Sequence, residues 1–132
     1  MKGYVKVSVA QIQESIQGFT KRFNEGKKLR DEGIERFYKR FYLEEGSWWL
    51  KWRCRNMTSS QFVYKHMGCW NRIGDVLFRV LTKEECEILD FWQWHHMSAL
   101  DGPKAMVSQS VDGFALVDSE MATAIQTYRG YL

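Results

Sequence analysis

The stretch Trp48-Trp49-Leu50-Lys51-Trp52-Arg53-Cys54-Arg55 decides how this chain is read. Rings and aliphatic groups run through it together with long-stemmed cations, a pattern that predicts a β-strand. Period-two geometry then assigns Trp48, Leu50, Trp52 and Cys54 to a core face, and Trp49, Lys51, Arg53 and Arg55 to the opposite one. The second face sets an indole beside three cations, the kind of surface on which a base can stack while phosphates are neutralised along the strand. Asn56-Met57-Thr58-Ser59 supplies a turn and Gln61 to His66 a returning strand, which in the right register adds Phe62, Tyr64 and His66 to that surface. The same pattern also fits an ordinary amphipathic strand whose Lys and Arg stems cover apolar area while their heads stay hydrated.

Upstream of this centre, Tyr4 to Ser8 alternates as a short strand does, and Ser8 with Gln11 forms a capping box that opens a helix. Val9, Ile12, Ile16, Phe19 and Phe23 mark one face of that helix, which is expected to end near Gly26. A second helix is expected from about Lys28 to Leu43, closed by Gly46. Its charges form i,i+4 pairs such as Lys28 with Glu32 and Glu32 with Arg36, while Lys21, Arg22, Arg30 and Arg40 lack an obvious partner.

Downstream, Asp75 to Leu81 reads as a buried strand, and Thr82 with Glu85 as a capping box for a helix running to about His96. Beyond the Asp101-Gly102-Pro103 break, residues 104–111 and 114–117 are expected to pair as a hairpin about the turn dipeptide Asp112-Gly113. Asp118 or Ser119 then caps a last helix to about Tyr128. The sum is an α+β fold: one compact domain over residues 1–132, with a mostly antiparallel sheet packed by about four helices.

Composition narrows the function. In 132 residues, 45% are hydrophobic, and the 6 Trp, 6 Tyr and 8 Phe supply enough apolar material for a core without disulfide or metal staples. No apolar run reaches the roughly 18 residues of a membrane span, and the N-terminal stretch has no long apolar segment for secretion. Three cysteines at irregular spacing do not make a disulfide framework, so a soluble, cytoplasmic protein with no membrane association is expected. Charge is uneven: residues 1–80 hold 16 Lys/Arg against 8 Asp/Glu, whereas residues 81–132 hold 3 against 8. Such a division can steer an acidic partner or a nucleic acid to one end.

Few residues carry recognisable chemistry. Among the soft ligands, only His66-Met67-Gly68-Cys69 has a short metal-hook spacing, and Cys86 stands nine or ten positions from His95 and His96, so no metal is expected. Cys54 is expected to be buried and inert, and Cys86 to have its thiolate opposed by neighbouring carboxylates. His95 and His96 suit the end of a helix, where they meet terminal carbonyls. No phosphate loop, dinucleotide fingerprint, zinc-protease motif or nucleophile elbow is present, and no cofactor is expected. Trp94 points away from the face defined by Ile88, Phe91 and Trp92, which makes it a candidate exposed aromatic.

The leading expectation is therefore a small, non-enzymatic binding protein, an inhibitor or adaptor of the kind that phages and mobile elements encode. It would dock a protein partner through Trp49, Lys51, Arg53, Arg55, Tyr64 and Trp94. The alternatives are a nucleic-acid or nucleotide binder using the Trp/Lys/Arg strand face, and an enzyme of unrecognised type using His95, His96 or the acidic helix.

Overall fold

The computed structural model describes residues 3–68 and 72–132. Cys69, half of the His66/Cys69 metal-hook spacing, lies outside the described residues. Helix accounts for 71% of the chain and strand for 9%, the latter in one two-stranded antiparallel ribbon. The expected α+β domain with a mostly antiparallel sheet is thus replaced by a mostly helical architecture. The chain divides into two compact units, residues 1–24 with 94–132, and residues 25–93.

The first unit is built on the ribbon. Strand β1 (Tyr4–Ser8) pairs with β2 (Phe114–Asp118) in the register Tyr4↔Asp118 through Ser8↔Phe114. The expected hairpin with residues 104–111 is reduced to a single bridge at Val111, because residues 104–109 belong to helix α6 (Asp101–Gln109). Pro103 is accommodated in the first turn of α6, where a missing N–H costs nothing, so the Asp101-Gly102-Pro103 group starts a helix where a break was expected. The Asp112-Gly113 turn itself is present, with φ of 55° and 77°, the left-handed pair that a type I′ turn requires. It closes on a Val111–Phe114 bridge, and the Gly113 carbonyl accepts from the Val9 amide.

Ser8 and Gln11 form the reciprocal cap expected of them and open helix α1 (Val9–Tyr38). Asp118 caps helix α7 (Ser119–Arg129) by accepting from the Met121 amide at 2.7 Å. Val7 and Val117 from the ribbon, Ile12 from α1 and Ile125 from α7 form one buried cluster. Phe19, fully buried, packs edge-on against His95 and Tyr128. Ser15, the buried polar residue here, is satisfied by donating to the Ile12 carbonyl.

The second unit holds the rest of α1 and the following elements. α1 does not end at Gly26: it continues to Tyr38 and then widens into a π-helical segment, Lys39–Glu44. Gly26 is instead a crossing point, because a Cβ there would lie 2.5 Å from both the Ile88 carbonyl oxygen and the Trp92 Cβ of helix α5 (Lys83–Trp94). The residue read as a terminator is small because another helix backbone lies against it.

Three short helices replace the predicted strands: α2 (Trp48–Arg53), α3 (Ser59–Lys65) and α4 (Ile73–Leu77). Each begins at a residue that accepts from or braces the first turn. Ser47 accepts from the Leu50 amide, Thr58 and Gln61 form a full capping box, and Asp75 reaches back to the Arg72 amide. Isolated helices of this length do not persist in water, so packing must hold them. Phe37, Tyr42, Cys54, Phe62, Val63, Leu77 and Leu89 belong to the buried cluster that does so.

Thr82 and Glu85 cap α5 as expected, and Glu85 also accepts from the Arg36 guanidinium at 2.9 Å. The Arg36 hydrogen bond foremost, then the Thr82 backbone amide, hold the Glu85 carboxyl below its ordinary range. A depressed carboxyl stabilises the fold fully above the ordinary carboxylate value, and that contribution fades as the pH falls through the depressed one. Urea midpoints should therefore drop between about pH 5 and about pH 3 by less in Glu85→Gln than in the parent chain. Equal drops would show that the pair adds nothing on the acid side.

Candidate functional site

Helix α2 overturns the geometry on which the strand face rests. At about 100° per residue, Leu50 and Cys54 share one direction, and Trp52 points opposite to them. The burial follows that phase: Cys54 is buried, Leu50 packs on the same core, and Trp48, Trp49 and Trp52 are exposed by 76%, 54% and 56%. Trp48 and Trp52, which the strand reading places inward, thus join Trp49 outside. The signal that locates them is a Ser47 cap followed by Leu50 and Cys54 at i,i+4, with Trp48, Trp49 and Trp52 at helical spacing around the other side.

The three indoles form one array. Trp49 and Trp52 stack, with centroids 6.0 Å apart and planes 17° from parallel, and Trp48 meets Trp49 at 5.5 Å and 83°. The Arg55 guanidinium lies 4.3 Å from the Trp52 ring centroid and donates to the Trp52 carbonyl at 2.6 Å. Arg53 is exposed and Lys51 half-buried. The Lys51 carbonyl accepts from the buried Tyr42 hydroxyl at 2.9 Å, which ties α2 to the π-helical segment beneath it. Burial first, then the neighbouring Tyr38 and Cys54, push that hydroxyl upward in pKa.

Of the sequence-derived residues, Trp49, Lys51, Arg53 and Arg55 are brought together, on a helix and its terminal turn. Tyr64 is exposed, but it lies on α3, not on a paired strand, and among the described residues it makes no ring contact with the indole array. Phe62 is buried, and His66 Nδ1 lies 2.8 Å from the Phe62 carbonyl oxygen, so neither adds to this surface as the strand register required. Trp94 is 64% exposed, as its helical phase predicts, and belongs to the first unit.

The stretch of chain that carries the array, which begins just after Glu44 and Glu45, holds charge of one sign. From Gly46 to Gly74 the chain carries Lys51, Arg53, Arg55, Lys65 and Arg72 and no Asp or Glu. Among the described residues, Lys51, Arg53, Arg55 and Lys65 make no ion pair. Several cations elsewhere have local partners, although among the described residues Lys21, Lys27, Lys83 and Lys104 also make no ion pair. Arg30 and Arg40, which lack an obvious partner in the sequence, pair with Asp31 and Glu45, and Arg22 lies over the Tyr131 ring. An open cleft of about 480 Å³ lined by Arg36, Lys39, Arg40 and Arg79 holds cations of which three are already paired with glutamates.

The other candidate chemistries gain no geometry. No three His, Cys, Asp or Glu among the described residues lie close enough to hold a metal ion. Cys54 is buried and accepts from the Lys65 ammonium at 3.4 Å. Burial foremost, then Asp90 and Glu85, raise the Cys86 thiol, which disfavours its nucleophilic form. His95 sits half-buried against Phe19 and Tyr128. No helix among the described residues is long and apolar enough to cross a membrane.

The fold and the site together define a mostly helical protein with an exposed tryptophan array in an acid-free stretch of chain. Comparison with protein-family models, curated proteins and solved structures returns no match to it.

Proposed function

We propose that this chain is a non-enzymatic binding protein, of inhibitor or adaptor type, that docks a protein partner through the α2 tryptophan array. The observation that carries the proposal is the exposure of three neighbouring indoles on one short helix. Leaving so much apolar ring area in water forgoes roughly 25 cal/mol for each Å² that could have been buried. Tryptophan is also the residue type most enriched at the energetic centre of protein interfaces, with arginine close behind. Arg53 and Arg55 border the rings as a polar rim does.

Nucleic-acid binding through the same residues is the second reading, favoured by the run of cations without carboxylates. Salt separates the two. Phosphate neutralisation releases counterions and makes affinity fall steeply with salt, whereas an aromatic-centred protein contact falls modestly.

The test is capture from a nuclease-treated extract by the parent chain and by the double variant Trp49→Ala/Arg53→Ala. Both substituted side chains are exposed, so the thermal midpoint should stay close to the parent value. The protein captured by the parent chain should be lost from the variant. Unchanged capture by a folded variant places the contact elsewhere, and loss of the parent's capture on nuclease treatment moves the reading to nucleic acid.

A further inference from the structure

We infer, resting on the reading of α2 as a docking surface, that its occupant is a carboxylate-rich protein segment. Two observations converge on this. Among the described residues Arg53 and Arg55, exposed beside the array, make no ion pair, so their charge is complementary to carboxylates that a partner would bring. Two of the three rings, in turn, already have a guanidinium or ring neighbour against them. Trp52 is occupied by the Arg55 guanidinium and by Trp49, and Trp49 by Trp52 and Trp48. Base recognition by stacking needs open faces along a phosphate-tracking groove. Trp49 and Trp52, stacked on each other, offer rims and N–H donors instead, and Trp48 adds exposed ring area; these fit carboxylate oxygens and aliphatic side chains. Arg53 and Arg55 stand at the C-terminal end of α2, where each can receive a carboxylate as its aliphatic neighbours cover the rings.

The experiment uses dye-labelled probes and fluorescence anisotropy on the full chain. The probes are a peptide alternating leucine with glutamate, the same peptide with glutamine for glutamate, and an oligothymidylate. The expected result is that the glutamate peptide binds at least about tenfold tighter than the glutamine peptide, and tighter than the oligothymidylate at moderate salt. Arg53→Glu/Arg55→Glu and Trp49→Ala/Trp52→Ala, each with the parent's far-ultraviolet circular dichroism and melting midpoint, should each remove about nine-tenths or more of the affinity. Equal binding of the two peptides, both lost in the tryptophan variant, overturns the acidic occupant while leaving the docking surface in place. Preference for the oligothymidylate, or no binding of the glutamate peptide, also overturns it. Binding of the glutamate peptide that the tryptophan variant retains overturns the docking surface as well.

Discussion

Replacing Phe62 by alanine is expected to cost about 3–5 kcal/mol, the range for emptying a phenylalanine site in a packed core. The side chain is fully buried and ring-packed on four sides, with Phe37, Tyr38, Tyr42 and His66 centroids at 6.0, 5.7, 5.3 and 4.8 Å. Its neighbours cannot collapse easily into the space, because Phe37 is itself locked against Phe41 and His66. A loss of that size takes much of the roughly 5–15 kcal/mol by which a domain is stable. It should also loosen the indole array, since Phe62 and Tyr42 share the cluster that includes Cys54 and abuts Leu50, the inward side of α2. Urea denaturation of Phe62→Ala and Phe62→Leu provides the check. Alanine should shift the midpoint far more than leucine, and equal small shifts would show that the ring is not a core group.

Gly26 yields the second large effect, and there the sign is the informative part. If Gly26 were only an indifferent helical position, alanine would gain about 1 kcal/mol from helix propensity. The crossing of α1 and α5 predicts the opposite. An added Cβ meets the Ile88 carbonyl oxygen and the Trp92 Cβ at 2.5 Å, and neither is the loose end of a flexible chain. Gly26→Ala should destabilise, and Gly26→Val should cost more, on the order of 1–3 kcal/mol or above as overpacking does. Arg30 should lose its seat 4.8 Å from the Trp92 ring centroid as α5 is displaced. Gly33 is the control: its added Cβ meets mainly the Leu77 side-chain end, which can turn aside, so alanine there should be milder. Thermal midpoints of the three alanine and valine variants test this, and a stabilised Gly26→Ala would refute the close crossing.

What could be read from the sequence were features decided by a few adjacent residues. The Ser8/Gln11 and Thr82/Glu85 capping boxes, the Asp118 cap and the Asp112-Gly113 turn depend only on side chains reaching backbone groups three positions away, or on one left-handed dipeptide. The exposure of Trp94 followed from helical phase. What could not be read was decided by packing. Residues 48–66 are rich in rings that favour a strand, yet two capped turns and a shared core make two short helices of them. Residues 73–77 and 104–109 went the same way, and residues 78–81 form a turn in place of the rest of the expected strand. Gly26 looks the same in a sequence whether it ends a helix or admits another one.

The candidate site was half legible for the same reason. Trp49, Lys51, Arg53 and Arg55 were singled out by strand alternation, a geometry the helix replaces, and they stay neighbours because six residues of helix keep any such stretch together. Trp48 and Trp52 were hidden by the wrong period: alternation sends them inward with Leu50, whereas 3.6 residues per turn leaves Leu50 inward and turns both indoles out. The corrected period enlarges the aromatic surface from one indole to three.

That surface can be tested residue by residue with the indole N–H signals of the 6 tryptophans in a nitrogen-15 correlation spectrum, each assigned by substitution, as the captured partner is added. The signals of Trp48, Trp49 and Trp52 should shift or broaden together at the same partner concentration. Perturbation confined to other tryptophans, with these three unmoved at saturation, would contradict the assignment of α2 as the docking surface.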